Sequence, residues 1–436
     1  MLPALSFLTG FATIFLVFME FSTPKGTRDY TSAQMEVREA LLDRIRAVFR
    51  LYGFRPLDTP AIETLATLQK KGGDEIEGQI FQIKDGDIGL RFDLTVPLAR
   101  VCGQNQFVLP YKRYAIAKVW RREEPQKGRL REFVQTDIDI VGSASPRCEA
   151  ELLACASQCL SELGFSGFVI RLNSRQVLES YFDKSGIAKE SRRAIMRTLD
   201  KIGKLQPEKI SALLEEILSD KAKAKELLEF IAIKGNKPVM EKAKKLGLEG
   251  AENLAQIVEQ CTAFGVKPLL DMSLVRGLDY YTGAVFEVSA SDAIGSVAGG
   301  GRYDNLIGNY GTPQPAVGIS LGFERLFALI ESGQFKAPDS LLGKKPQAFV
   351  ACTDDKFYAY SLECAKAMRG AGVCCSTDLM ARKFSKQMDF AIKQGFSYLA
   401  IVGEQEEKAK SVTIKNLKTG KQEVVPLAKI SKYFEA

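Results

Sequence analysis

From about Asn173 to Pro268 the chain is rich in Lys, Glu, Leu and Ala at helical spacing and almost free of strand signals, while strand-and-glycine character lies on either side. This interruption constrains the fold more than any other feature. A helical block inside a strand-rich region reads as an insertion, 173–268, with 19–172 and 269–333 forming one domain around it. After a linker at 334–347 (QFKAPDSLLGKKPQ) the pattern changes again. AFVACT, a helix over 356–371, VCCSTDL, a helix over 383–394 and YLAIVG alternate, which predicts an α/β domain with a mostly parallel sheet over 345–436. The 436 residues suffice for two to three domains of roughly 150 residues.

Within the first region, Thr31 and Gln34 fit a capping box that opens a helix. Val37, Leu41, Ile45 and Val48 then recur at three- and four-residue steps until Gly53, as on an amphipathic helix. Residues 79–101 alternate and turn at Asp85-Gly86, a hairpin signal. Two extended runs, Tyr114–Trp120 and Phe133–Val141, flank a charged loop and predict a long antiparallel hairpin. Pro146 to Leu163 reads as a helix.

The chain contains no histidine. Ser-His-Asp triads, Cys-His pairs, HExxH zinc hydrolysis and phosphohistidine relays are therefore excluded. Acid, base and phosphate chemistry falls to Asp, Glu, Lys, Arg, Tyr and Cys. The nine cysteines are odd in number and scattered, and a C-x3-C pair (Cys155, Cys159) without a second pair or any His makes neither a disulfide framework nor a zinc site. They read as reduced, mostly buried thiols, and no protein-held metal is expected. The net charge is +7 (60 basic against 53 acidic residues), and the part from Lys344 onward, with 16 basic and 10 acidic residues, carries most of it. That basic segment suits an anionic partner such as nucleic acid, or is a solvated basic face; composition leaves the two even. Leu2 to Met19 has no charged residue and is near the length of a membrane span. It lacks the basic start and cleavage site of a signal peptide. Translation from Met19 is the favoured reading, and a membrane anchor the alternative.

Four segments could carry chemistry. The loop Arg121–Arg131 gathers Arg121, Arg122, Lys127, Arg129 and Arg131 with Glu123 and Glu124 on a hairpin tip, a platform suited to clamping phosphate. VRGLDYYTG (275–283) puts Arg276, Tyr280 and Tyr281 on a short strand, where an arginine is costly unless it meets an anion. GGGRYD (299–304) lets backbone approach a ligand closely but meets neither common nucleotide fingerprint. SLGFERL (320–326) places Arg325 at a helix start. Taken singly, each is equally an exposed turn or a surface arginine.

In this order they resemble one family. Helix 33–50 followed by Pro60 is similar to motif 1 of class II aminoacyl-tRNA synthetases, Arg121-x-Glu123 with the strand through Asp139 to motif 2, and Gly318–Arg325 to motif 3. KGTRD (25–29), RFDLTVPLAR (91–100) and LVRGLDYYTG (274–283) resemble histidyl-tRNA synthetases specifically, and the likeness runs from Lys25 to the C-terminus. It implies an α+β fold: an antiparallel sheet flanked by helices, a helical insertion that leans on the tRNA acceptor arm, and a C-terminal α/β anticodon-binding domain. It also implies a cytoplasmic homodimer with no stable membrane partner, acting on L-histidine, ATP with its Mg2+, and tRNA(His).

The resemblance further implies roles. Arg121 and Arg276 would be catalytic, binding the α-phosphate from two sides, with Arg276 also on the histidine carboxylate. Glu123, Arg129 and Arg325 would hold ATP. Asp93, Thr95 and Gln135 would hold the ammonium and carboxylate end of histidine. Asp139 and Tyr281 would read the imidazole nitrogens, with Tyr280 lining the pocket. A carboxylate and a phenol satisfy both ring nitrogens, and an amino acid lacking them leaves buried groups unpaired, a discrimination of about 10⁴–10⁵ that needs no editing domain. One departure from a common family pattern is visible: Val134 stands where relatives often carry His. Asp rather than Glu at 93 and 139 shortens each carboxylate by a methylene, and relatives of the archaeal and eukaryotic type also carry Asp at the first site. The rival implied by the same likeness is a catalytically inactive paralogue that regulates ATP phosphoribosyltransferase. It typically lacks the anticodon domain and much of the motif 2 and RGLDYY chemistry.

Overall fold

The computed structural model describes residues 21–70, 77–84, 86–125, 128–203, 205–275, 280–291, 295–342 and 347–435. The apolar segment 2–19, Asp85 of the expected hairpin turn, Lys127, Arg276 and Asp279 lie outside the described residues. The chain forms two compact units that part between Leu341 and Leu342.

The first unit is built on an eight-stranded sheet in the order β1-β4-β5-β10-β9-β8-β6-β7. Its strands are β1 (Arg55–Pro56), β4 (Tyr111–Trp120), β5 (Glu132–Val141), β6 (Val169–Ser174), β7 (Leu269–Leu270), β8 (Ala284–Ser289), β9 (Ser296–Arg302) and β10 (Ala316–Gly322). All neighbours run antiparallel except the edge pairs β1/β4 and β6/β7. A separate ladder joins β2 (Ile62–Thr64) to β3 (Ile88–Leu90). Four strands of the main sheet precede the helical block and four follow it, so the flanking segments share one sheet.

The first helix, α1 (Ser32–Leu51), opens with the expected capping box, in which the Gln34 side-chain oxygen accepts from the Thr31 N–H at 3.2 Å. It buries Leu41, Ile45, Val48 and Phe49, each contributing roughly 1.5–3 kcal/mol by leaving water, and it packs on α2 (Arg147–Glu162). Arg38 of α1 is buried as well and forks onto Glu324, with both nitrogen–oxygen distances 2.7 Å. Glu324 also accepts from the Tyr30 hydroxyl at 2.8 Å and the Val134 N–H at 3.2 Å. This buried acid locks α1 and β5 to the corner that follows β10.

Three sequence expectations are corrected here. Residues 79–101 do not continue as strand, because Thr95–Gln104 is a helix, α3. Asp93 causes the switch: its Oδ1 accepts from the N–H groups of Thr95 (3.2 Å) and Val96 (2.9 Å), capping the helix start, where Pro97 is tolerated. The helical block begins at Arg175, not Asn173, since β6 is a strand of the main sheet. Its polar Asn173 is satisfied by the carbonyls of Met272 (3.2 Å) and Leu274 (3.1 Å) in the segment after β7, a long-range pairing that local pattern does not reveal. Tyr280 to Gly283 lie in a turn and loop that lead into β8 rather than on a strand. Among the described residues the block itself is six helices between Arg175 and Ala263.

The second unit has a five-stranded sheet of order β12-β11-β13-β14-β15, with β11 (Gln347–Cys352), β12 (Cys374–Thr377) and β13 (Tyr398–Val402) parallel. Strands β14 (Ser411–Asn416) and β15 (Gln422–Pro426) complete it antiparallel. Phe349, Ala351 and Leu399 pack one face, and Val350, Ala400, Val402 and Val412 the other. Seven of the nine free cysteines are buried.

Candidate active site

The floor of the site is one face of the central strands. In β5 the side chains of Gln135, Asp137 and Asp139 share a face because strand side chains alternate. The register extends this face across the sheet. Arg113, Asp139, Gly318 and Gly301 form one row, Ala115, Asp137, Ser320 and Gly299 the next, and Ala117, Gln135 and Gly322 a third. The row members from β9 and β10 are nearly all glycine, for a steric reason. A Cβ on Gly318 would lie 2.0 Å from Asp139 Oδ1, and one on Gly301 2.9 Å from the Tyr281 ring. Within GGGRYD the nearest obstacles are backbone, the Gly318 carbonyl 2.0 Å from a Cβ on Gly300 and the Ala284 carbonyl 2.6 Å from one on Gly301, so these glycines first let the strands pack closely, and Arg302 turns away, forking onto buried Glu149 of α2 at 2.6 and 2.8 Å.

Above this floor lies a cleft of about 720 Å3. Asp93, Thr95, Arg121, Glu123, Arg129, Gln135, Asp139, Tyr280, Tyr281 and Arg325 all line it. They come from the α3 start, the hairpin, the loop before β8 and the helix start after β10. Arg276 lies outside the described residues. Arg121 donates through Nε to the Phe92 carbonyl at 2.9 Å and packs 5.1 Å from the Phe133 ring, which aims its fork along the cleft. Arg129 pairs with Glu123. Arg325 donates to the Ser296 carbonyl at 2.5 Å. The Tyr280 and Tyr281 rings pack with centroids 4.2 Å apart, tilted by 41° to one another.

The cleft holds polar groups that the fold leaves incompletely satisfied. The Gln135 amide donates only a long bond, 3.5 Å, to Ser320 Oγ, and its buried Oε1 has no hydrogen-bond partner among the described residues. One oxygen of Asp137 is also without one there. Burial pushes the Asp137 carboxyl up to about 7, with Asp139 and Asp93 adding to the rise, against the opposing pull of Arg113 and the Ser320 hydrogen bond. Tyr303 donates its hydroxyl to Asp139 Oδ1, and burial together with that carboxylate holds the phenol well above its ordinary value. Buried polar atoms left open in a folded chain point to a bound ligand.

Sequence reasoning missed Asp137, Asp200 and Tyr303. Asp137 was readable as the middle member of an alternating Gln-Asp-Asp row. Asp200 reaches the cleft from the helical block, and Tyr303 hides in a motif read for its glycines.

The chain matches a family model described as histidyl-tRNA synthetase over residues 26–326 and an anticodon-binding domain over 347–436. A histidine–tRNA ligase of Aeropyrum pernix is 38% identical over 426 residues, 94% of this chain and 97% of that protein. The crystal structure of histidyl-tRNA synthetase from Nostoc superposes with a TM-score of 0.82 at 30% identity, covering 95% of this chain and 99% of that one. A Bacillus halodurans structure titled as an ATP phosphoribosyltransferase regulatory subunit/histidyl-tRNA synthetase superposes with a TM-score of 0.72 over 88% of this chain and 99% of that one, at 19% identity, a likeness of fold alone. The family model over residues 26–326, the anticodon-binding module over 347–436 and the 38% identity to a full-length relative together place this chain in the histidyl-tRNA synthetase family of class II aminoacyl-tRNA synthetases.

Proposed function

We propose that the cleft activates L-histidine with MgATP and passes it to tRNA(His). In the first step the histidine carboxylate attacks the α-phosphorus in line, the bond to pyrophosphate breaks, and histidyl-adenylate forms. In the second the 3′-terminal adenosine hydroxyl of the tRNA attacks the adenylate carbonyl and releases AMP. Both steps need orientation and neutralised phosphate charge rather than a strong side-chain base, so a chain without histidine can run them. Arg121 clamps the α-phosphate from the hairpin, and Arg276 is assigned to the same phosphate and to the histidine carboxylate. Glu123, Arg129 and Arg325 seat the nucleotide, whose Mg2+ arrives on its phosphate oxygens as part of the substrate. Asp93, Thr95 and Gln135 take the amino-acid end. Asp139 and Tyr281 read the ring, with Tyr280 as a wall.

The observation that carries this reading is the open Gln135 oxygen on the same sheet face as Asp139, across a single cleft from Arg121 and Arg325. The helical block is assigned to the acceptor arm and the second unit to the anticodon, in a cytoplasmic homodimer. Among the described residues no helix is long and apolar enough to cross a membrane.

Aminoacylation of tRNA(His) by Arg276→Ala and Tyr281→Phe tests the assignment. Arg276→Ala is expected to lower kcat by about 10²–10³-fold, the loss typical of one transition-state donor. Tyr281→Phe should raise the histidine KM while leaving that of ATP. A folded protein that binds histidine and makes no adenylate would overturn the reading and favour a regulatory sensor.

A further inference from the structure

Arg113 has no place in the scheme above. It sits on β4 directly opposite Asp139 and is completely buried, at 0% exposure. A single nitrogen, Nη2, lies 2.8 Å from Asp139 Oδ2 and also donates to the Leu94 carbonyl at 3.0 Å. Nε and Nη1 are buried without a hydrogen-bond partner among the described residues. A guanidinium that leaves two of its nitrogens open in the interior is a poor fold stabiliser, since an apolar side chain of similar volume would serve the core at least as well. Its two contacts, the ion pair with Asp139 and the hydrogen bond to the Leu94 carbonyl, explain its presence. Leu94 lies between Asp93 and Thr95, at the amino-group end of the cleft, and Asp139 lies at the ring end. Asp139 has little freedom otherwise, with the Tyr303 hydroxyl on its other oxygen and Gly318 beneath it. Burial works against the Arg113 charge, but Asp139 and Asp137 outweigh it, so the guanidinium stays protonated.

We propose that Arg113 is a positioning residue that fixes the spacing between the amino-group and imidazole halves of the histidine subsite, and thereby helps set its selectivity. The proposal rests on the reading of Asp139 as the ring acceptor.

The test is histidine-dependent ATP–pyrophosphate exchange by the full chain, with KM for histidine and for ATP measured separately. Arg113→Met is expected to raise the histidine KM about tenfold or more while the ATP KM and kcat stay within about threefold. Asp139→Asn should raise the histidine KM at least as much, and the double variant clearly less than the product of the two singles, because one acts largely through the other. Should Arg113→Met fold poorly, Arg113→Lys keeps the charge and loses the fork. It is then expected to raise the histidine KM about threefold and leave that of ATP unchanged. Histidine and ATP constants rising together, or single effects that multiply in the double variant, would assign Arg113 a purely structural role. An unchanged histidine KM in Asp139→Asn would remove the reading of Asp139 and this proposal with it, whereas an unchanged KM in the Arg113 variants alone would remove only the proposal.

Discussion

The two large sheets of this chain are built on opposite principles. The five-stranded sheet of the second unit is apolar on both faces, with Phe349, Val350, Leu399 and Ala400 all essentially inaccessible. The eight-stranded sheet buries Arg113, Thr136, Asp137 and Asp139 on its central strands, next to glycines whose missing side chains leave room above them. Apolar burial stabilises a fold outright, whereas buried charge at best breaks even. The second sheet is therefore explained by folding alone, and the first is not. Its polar face has to be explained by what binds there.

That contrast can be broken at several points. The largest expected effect is at Arg121: Arg121→Gln should lower kcat for adenylate formation by about 10²–10³-fold with little change in thermal stability. Next is Gly318→Ala. The added methyl collides with Asp139 Oδ1, and because misplacing a binding group by an ångström costs about 10²-fold, exchange should fall by that order while the unit stays folded. Val350→Ala is the matching change in the other sheet. It should cost about 2 kcal/mol of second-unit stability in urea denaturation and leave pyrophosphate exchange untouched. If it abolished exchange, the division of labour drawn here would be wrong.

The smallest effect depends on pH. In the unfolded chain Asp137 ionises at about pH 4, but in the fold burial moves it up to about 7. The folded state holds the proton better, so this group's contribution is fully present below pH 4 and is lost as pH rises from about 4 to 7. Asp137→Asn removes that loss. It should stabilise the protein by on the order of 1–2 kcal/mol at pH 8 and by nothing measurable near pH 4, as read from denaturation at the two pH values.

Some of this was legible in the residues. The hairpin, α1 with its capping box, and the alternation that puts Gln135 and Asp139 on one face all rest on local periodicity, which a sequence displays directly. The Asp93 cap was not read, because RFDLTVPLAR offers a strand-like alternation and only the Asp93 side chain turns it into a helix. Arg113 and Asp200 belong to the cleft or its support through strand register and through a helix of the inserted block, contacts that join residues far apart in the chain. Motif resemblance brought Asp139 forward but gave no hint of what stands behind it. Local pattern reports what faces a site, while the groups that hold those residues in place emerge only with the tertiary pairing.

The most direct test of the central claim, that the polar sheet face is a histidine-activating site, is ATP–pyrophosphate exchange by the full chain with each of the twenty amino acids supplied separately. Exchange with histidine alone, lowered about 10²-fold by Gly318→Ala in protein that still unfolds cooperatively, is the predicted result. Exchange with another amino acid, or none from folded protein, would contradict it.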